Sequence, residues 1–291
     1  MKITRLLMSS ENSTDVIEFS YKDPTASNPY NVKKVLGLDA PDIIPRYYGS
    51  SSAFVGDQST PYYNLTLGSR QIVILAKLNP QFSTNQSYSD LRDELYRQIV
   101  SSRSGRVVMQ FIDDSNGSPQ VNVQSTGVIQ KIETDQFAQD QVVQLTINLD
   151  DPLLRAPTPY VLATGAFSST SFNVSDEIST APHGLTISLQ ITADMLDGEW
   201  CTLFDPNDPL TWFFSLSPGS HYRNNDIITI SCDFEKSVTL TRSGVVTPIA
   251  DTIVAGSIWP TMFPGVNSFG CLQASRTAIN SFSYYPTYWG I

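Results

Sequence analysis

Groups that exchange protons near neutrality are scarce in this chain of 291 residues, which has only two histidines, His183 and His221. The three cysteines, Cys201, Cys232 and Cys271, are odd in number and spaced neither as a zinc site nor as a disulfide framework. They read as small apolar residues in strands. No Gly-x-Ser-x-Gly elbow is present to expose a serine, and both histidines sit in turn-like contexts, Pro-His-Gly and Gly-Ser-His. Phosphate loops, dinucleotide fingerprints, His-Glu-x-x-His and EF-hand loops are also missing. Asp113-Asp114 and Asp150-Asp151 are adjacent carboxylates, whereas glycoside hydrolysis needs two acids facing one cleft. They read as loop tips or strand ends, and the acidic stretch Asp194 to Glu199 reads as a polar turn rather than a calcium site. No catalytic, cofactor-binding or metal-ligating residue is assigned, and the chain reads as a non-enzyme without a cofactor.

Positive charge is the second shortage. The net charge is −10 and the pI about 4.6. Up to Pro157 there are 14 Lys+Arg against 17 Asp+Glu; from Thr158 onward there are 4 against 11. A sequence-specific nucleic-acid binder shows a clustered basic face, so that class is set aside. A wall that DNA slides past remains compatible, because acidic surfaces repel phosphate. No apolar run approaches the ~20 residues of a membrane span, and the start turns polar by Ser9, without a signal-peptide core. A soluble protein assembled in a cytoplasm, without membrane insertion, is the expectation.

What is present is apolar content typical of an ordered protein, 41%, divided by the proline-rich stretch Asp150 to Pro159. That stretch reads as a linker between two domains, 1–157 and 158–291. In the first half, strands are expected at Val16–Tyr21, Lys33–Leu38, Gln71–Leu78, Arg106–Ile112, Gly127–Glu133 and Gln141–Leu149. The run Ile72-Val73-Ile74-Leu75 suggests a strand covered on both faces, whereas Val143, Leu145, Ile147 and Leu149 alternate with polar residues. A helix is expected over Ser89 to Ser102, with Ser89 as cap, acids in its first turns and an apolar stripe of Leu91, Leu95 and Ile99. Gly105 is a candidate terminator after Arg103.

The second half has strand signals only. They fall at Leu185–Ile191, Trp200–Phe204, Trp212–Leu216, Asp226–Cys232, Ser237–Arg242, Thr252–Ile258 and Ser281–Tyr285, with turn residues between them, as in a two-sheet sandwich. All four tryptophans, Trp200, Trp212, Trp259 and Trp289, lie in this half. They could stack on sugars, but core or interface filling is the favoured reading.

Several phrases, taken in order, resemble the distal tail proteins of long-tailed, siphovirus-like phages. They are Gly37-Leu38-Asp39-Ala40-Pro41-Asp42-Ile43 with Tyr48-Gly49, and Leu78-Asn79-Pro80 followed by Ser87 to Tyr96. Further on come Asp151 to Pro157, Ser257-Ile258-Trp259-Pro260, Phe263 to Asn267 and Tyr284 to Ile291. The resemblance spans nearly the whole chain. It implies a mainly β (α+β) protein: an N-terminal tail-tube-like β-sandwich with one flanking helix, then a C-terminal all-β sandwich of galectin-like or carbohydrate-module type. It further implies a virion structural protein at the phage tail tip, a ring of six copies joining tail tube protein to tail-tip hub protein and docking receptor-binding proteins or side fibres. The alternative is a host-surface carbohydrate-binding module, although no residue here matches a sugar-binding motif. A tail-tip wall hydrolase lacks any residue constellation, and the main tube protein is disfavoured by the large second domain.

Overall fold

The structure, a computed structural model, describes residues 3–11, 13–21, 28–41, 43–45, 65–83, 86–99, 105–114, 121–134, 141–162, 171–196, 199–206, 213–217, 222–233, 236–272 and 276–291. Two compact units divide the chain: Met1–Pro157 together with Tyr288–Ile291, and Thr158–Thr287.

The first unit contains β1 (Arg5–Ser10), β2 (Val16–Tyr21), β3 (Tyr30–Leu36), β4 (Ile43–Pro45), β5 (Leu65–Leu67), β6 (Gln71–Leu78), α1 (Tyr88–Ile99), β7 (Arg106–Asp113), β8 (Val121–Thr134), β9 (Val142–Leu149) and β10 (Leu154–Arg155). Apart from the β4–β5 pair, its strands form one sheet ordered β10-β8-β7-β1-β2-β3-β6-β9, and β8 pairs with β9 as well. Seven strands thus close a circuit. The closure depends on β8, a strand of 14 residues. Val121–Val128 pair with β7, and Gly127–Thr134 pair with β9. Gly127 sits at the changeover, where a Cβ would lie 2.4 Å from the carbonyl oxygen of Asn148.

The seam is β2–β3, a parallel pairing of only two residue pairs, Ser20↔Asn31 and Tyr21↔Val32. Helix α1 packs against β1, β2 and β6, and the Tyr30 hydroxyl on β3 donates to the Leu91 carbonyl at 3.0 Å. The helix therefore braces the circuit where strand pairing is thinnest. Leu91, Leu95 and Ile99 are all fully buried, as their spacing predicts. The helix begins one residue before Ser89, and Ser87 is the cap. Its backbone N–H and hydroxyl donate to Asp90 Oδ2 (2.8 and 2.7 Å), while its Oγ accepts from the Asp90 N–H at 3.3 Å. The expected end at Ser102, and Arg103, lie outside the described residues.

Two other expectations change. Ile72 and Ile74 are fully buried, but Val73 and Leu75 point the other way and are only half-buried. The expected linker is not free: Leu154 is fully buried and β10 joins β8 at Arg155↔Gln124. An apolar side chain and a strand edge draw that segment into the sheet. Strand β1, central between β2 and β7, was not among the predicted strands; Leu6-Leu7-Met8 has no alternation to mark it.

The second unit contains β11 (Tyr160–Leu162), β12 (Ser171–Asp176), β13 (Thr186–Ile191), β14 (Cys201–Phe204), β15 (Phe213–Leu216), β16 (Ile227–Ser231), β17 (Ser237–Arg242), β18 (Val245–Pro248), β19 (Gly265–Leu272) and β20 (Thr277–Tyr284). They make two antiparallel sheets, β11-β20-β13-β16-β17-β18 and β12-β19-β14-β15. One core joins their inner faces, with Ile187, Leu189, Ile228 and Phe282 from the first sheet and Val174, Leu203, Phe214 and Phe269 from the second. Phe269 and Phe282 meet edge to face at 5.2 Å between the sheets. This is the sandwich that alternation predicts. The expected strand Thr252–Ile258 is not one. A 3₁₀ turn spans Ala250–Thr252, and Gly256 at φ 87° breaks the extended run. The last strand, β21 (Thr287–Tyr288), joins β10 in the first sheet, carrying the chain end into the first unit.

Candidate functional site

The titratable groups read from the sequence occupy structural positions. Burial raises all three thiols: Cys201 well above its ordinary value, with Cys271 adding to the effect, Cys232 to about 12, and Cys271 despite an opposing hydrogen bond from Thr277. Thiols held protonated are poor nucleophiles and poor metal ligands. Asp114 is bound by Arg5 at 2.8 Å, Asp150 by Arg106 at 2.7 Å and Asp151 by Arg155 at 2.7 Å. The acidic stretch 194–199 is pinned as well. Arg276 donates to Glu199 at 2.9 Å and to the Asp194 carbonyl at 2.7 Å. No group of three or more His, Cys, Asp and Glu residues fit to hold a metal ion occurs among the described residues. His183 is buried rather than in an exposed turn, its backbone paired with Met262. His221 and Trp212 lie outside the described residues.

The remaining tryptophans have different surroundings. Trp259 is half-buried on Phe214, 4.7 Å between ring centroids, beneath the Lys236 ammonium. Trp200 is 42% exposed. Trp289 belongs to the first unit.

There it takes part in a clasp that no periodicity announces. Arg70 is buried, and its Nε donates to the Gly37 carbonyl at 2.7 Å. Its Nη1 donates to the carbonyls of Pro152 (2.9 Å) and Trp289 (3.1 Å). The Ile291 N–H adds a bond to the Leu38 carbonyl at 3.1 Å. Gly37 adopts φ 86°, and a Cβ there would lie 2.0 Å from the Gln71 carbonyl oxygen. Three phrases far apart in sequence, 37–41, 151–157 and 284–291, thus send residues to one guanidinium. Burial lowers the Arg70 pKa, and nearby Asp39 opposes the shift.

One surface of the first unit is the outward face of β3, β6, β9 and β8. Its cross-strand rows read Leu36–Val73–Thr146–Lys131, Lys34–Leu75–Gln144–Glu133 and, on three strands, Gln71–Asn148–Val128. Gln71 donates to Gln130 and Asn148, both at 3.1 Å, and Gln144 donates to Glu133 at 3.3 Å. Lys131 pairs with Glu133. The rows between face inward as Ile72–Ile147–Ile129 and Ile74–Leu145–Ile132. Amides, a threonine, partly exposed aliphatics and the Lys131–Glu133 ion pair therefore pave the outer face, with Lys34 on β3. No arginine occurs in these rows.

No family model matches the chain, and no curated protein matches it. Among solved structures, the phage SPP1 Dit protein, described as a paradigm of hub adsorption apparatus in Gram-positive infecting phages, is similar over 96% of this chain and 98% of its own. The identity is 15% and the TM-score 0.59. Two chains from phage p2 baseplates in the activated conformation, with strontium and with calcium, align at 8% identity and TM-scores of 0.43 and 0.44. They cover 97% and 98% of this chain and the same shares of their own. The chain has a mainly β fold, similar to that of the SPP1 Dit protein over 96% of its residues.

Proposed function

We propose that this chain is a structural protein of the phage tail tip, in which residues 1–157, with 288–291, form a ring continuing the tail tube and residues 158–287 dock receptor-binding proteins or fibres at the periphery. The observation that carries the reading is the likeness to SPP1 Dit over 96% of the chain. The closed strand circuit suits it, because a subunit with few free strand edges assembles through faces and loops rather than by uncontrolled edge pairing. In this reading the outward face of β3, β6, β9 and β8 lines the ring opening. Amides there, with Lys131 already paired to Glu133, let a polyanion pass without the bidentate forks by which arginines grip phosphate. Six copies carry a net charge of about −60, which keeps the assembly soluble and repels DNA elsewhere on its surface. The chain acts in the virion, with tail tube protein on one side and hub protein on the other, and without enzymatic activity.

Electron microscopy of the purified protein, classified by rotational symmetry, tests this. Sixfold rings with a central opening are expected, of about 193 kDa, six times 32.1 kDa. Particles that stay single at high concentration, and bind no tail component, would remove the ring reading. The exposure of Trp200 favours one competing reading, a carbohydrate-binding second unit. Glycan-array binding that disappears in Trp200→Ala would establish it; no binding by the wild type would end it.

A further inference from the structure

In the first unit, the parallel pairing of β2 with β3 is confined to Ser20 and Tyr21, and Asn28-Pro29 stops it there. Continuing it back along β2 would require donors and acceptors from residues 28–30. The Tyr30 N–H is already bonded to Asn28 Oδ1 at 3.0 Å. Pro29 has no N–H, and its carbonyl accepts from the Asn79 N–H at 2.7 Å. Pairing with β1 occupies only every second residue of β2. The Tyr21 N–H donates to the Thr4 carbonyl at 2.9 Å, and by alternation Phe19 and Ile17 also turn their backbone groups to β1. Glu18 and Val16 turn theirs the other way, where no described strand pairs with them.

That bare edge borders a cleft of about 580 Å³, closed on its other sides by Asn28–Tyr30, by the residues around Phe82 and Gln86, and by α1. Two carboxylates line it, Glu18 from the edge and Glu94 from the helix, and no lysine or arginine is among its described lining residues. Glu94 is held by neutral donors. Its Oε2 accepts from Gln86 (3.0 Å) and the Tyr30 hydroxyl (3.4 Å), and its Oε1 from Gln98 (3.2 Å). The Glu18 side chain is 44% exposed; Arg5 reaches it only at 3.7 Å and binds Asp114 through Nε at 2.8 Å. We propose that this cleft accepts an extended segment of a partner protein as an added strand along Val16–Glu18, with a lysine or arginine of that segment set between Glu18 and Glu94. The N–H and carbonyl groups of Val16 and Glu18 supply the ladder of strand addition. The two carboxylates select a basic side chain and reject an acidic one.

Peptide binding to the full chain tests this. The probes are a blocked peptide of about seven residues, the length of a typical strand, alternating threonine and valine around a central lysine, and its twin with a central glutamate. The lysine peptide should slow hydrogen exchange at the Val16 and Glu18 amides, resolved by residue, and leave those of Ile17 and Phe19, already bonded to β1, unchanged. It should bind tighter than its twin by about threefold or more. Glu18→Gln combined with Glu94→Gln should remove that preference, and Val16→Pro, which deletes a bare donor but no bond to β1, should weaken both peptides. Exchange at 16–18 that neither peptide slows, or equal binding of the two by the wild type, would overturn the proposal. The assay needs no ring, so a chain that stays single can still uphold it.

Discussion

Arg70 illustrates how one buried side chain can organise a unit. Its donors serve carbonyls from three segments, and a lost charge-assisted hydrogen bond costs about 1.5–3 kcal/mol, with more where an acceptor stays buried and unpaired. Arg70→Met is therefore expected to destabilise the first unit by about 3 kcal/mol or more in denaturant titrations. Arg70→Lys should recover only part of this, because an ammonium lacks the planar fork that reaches several acceptors at once. The cysteines test burial at the same scale. All three thiols are buried and shifted up, so a thiol reagent at neutral pH should modify none of them in the folded protein and all three after denaturation. Rapid labelling of any one under native conditions would contradict the packing described.

Among the elements, α1 is marginal by itself at 12 residues and depends on its cap and its buried stripe. Ser87→Ala should cost about 1 kcal/mol and Leu95→Ala about 2–5 kcal/mol, read from unfolding midpoints. Both should loosen the β2–β3 seam, detectable as faster amide exchange at Ser20 and Val32. In the second unit, the β17–β18 hairpin is tied back by Arg242, which donates to both oxygens of buried Asp226 at 2.9 and 2.6 Å. That pairing holds the Asp226 pKa below its ordinary value, aided by the Arg223 N–H and opposed by burial. A depressed carboxylate contributes stability that is complete above the unfolded value near 3.9 and disappears as pH falls through the folded one. Between about pH 4 and 2 the wild type should thus lose more stability than Arg242→Gln, as measured by urea midpoints at each pH.

For the molecule as a whole, the first unit draws on both ends of the chain. β21 lies beside β10, and Trp289 and Ile291 complete the clasp at Arg70 and Leu38. Deleting residues 288–291 should lower the unfolding free energy of the first unit by about 2–4 kcal/mol, the order of two buried hydrogen bonds and a strand contact. The core spectra of the second unit, such as the Phe269–Phe282 contact, should be unchanged. Exposed aliphatics are concentrated in that second unit, with Val245, Val246 and Val266 each more than 60% exposed. Such surface is where a docked partner would gain most.

Much of this protein was decided by local periodicity. The alternation at 143–149 and 185–191 forced one-sided strands, and the four-residue spacing of Leu91, Leu95 and Ile99 forced a helix with one buried stripe, because side-chain direction follows backbone period. The scarcity of histidine and the lack of nucleophile and metal motifs bounded the chemistry without any coordinates. What periodicity cannot carry is closure and convergence. The turn of β8 from β7 to β9 depends on one missing Cβ at Gly127, and β1 takes its central place by pairing with partners 7–15 residues away in β2 and 97–107 residues away in β7. Arg70 among three carbonyls and the last four residues folding into the first unit both depend on contacts between distant segments. Those are fixed by burial and hydrogen-bond satisfaction in three dimensions, so only the tertiary structure decided them.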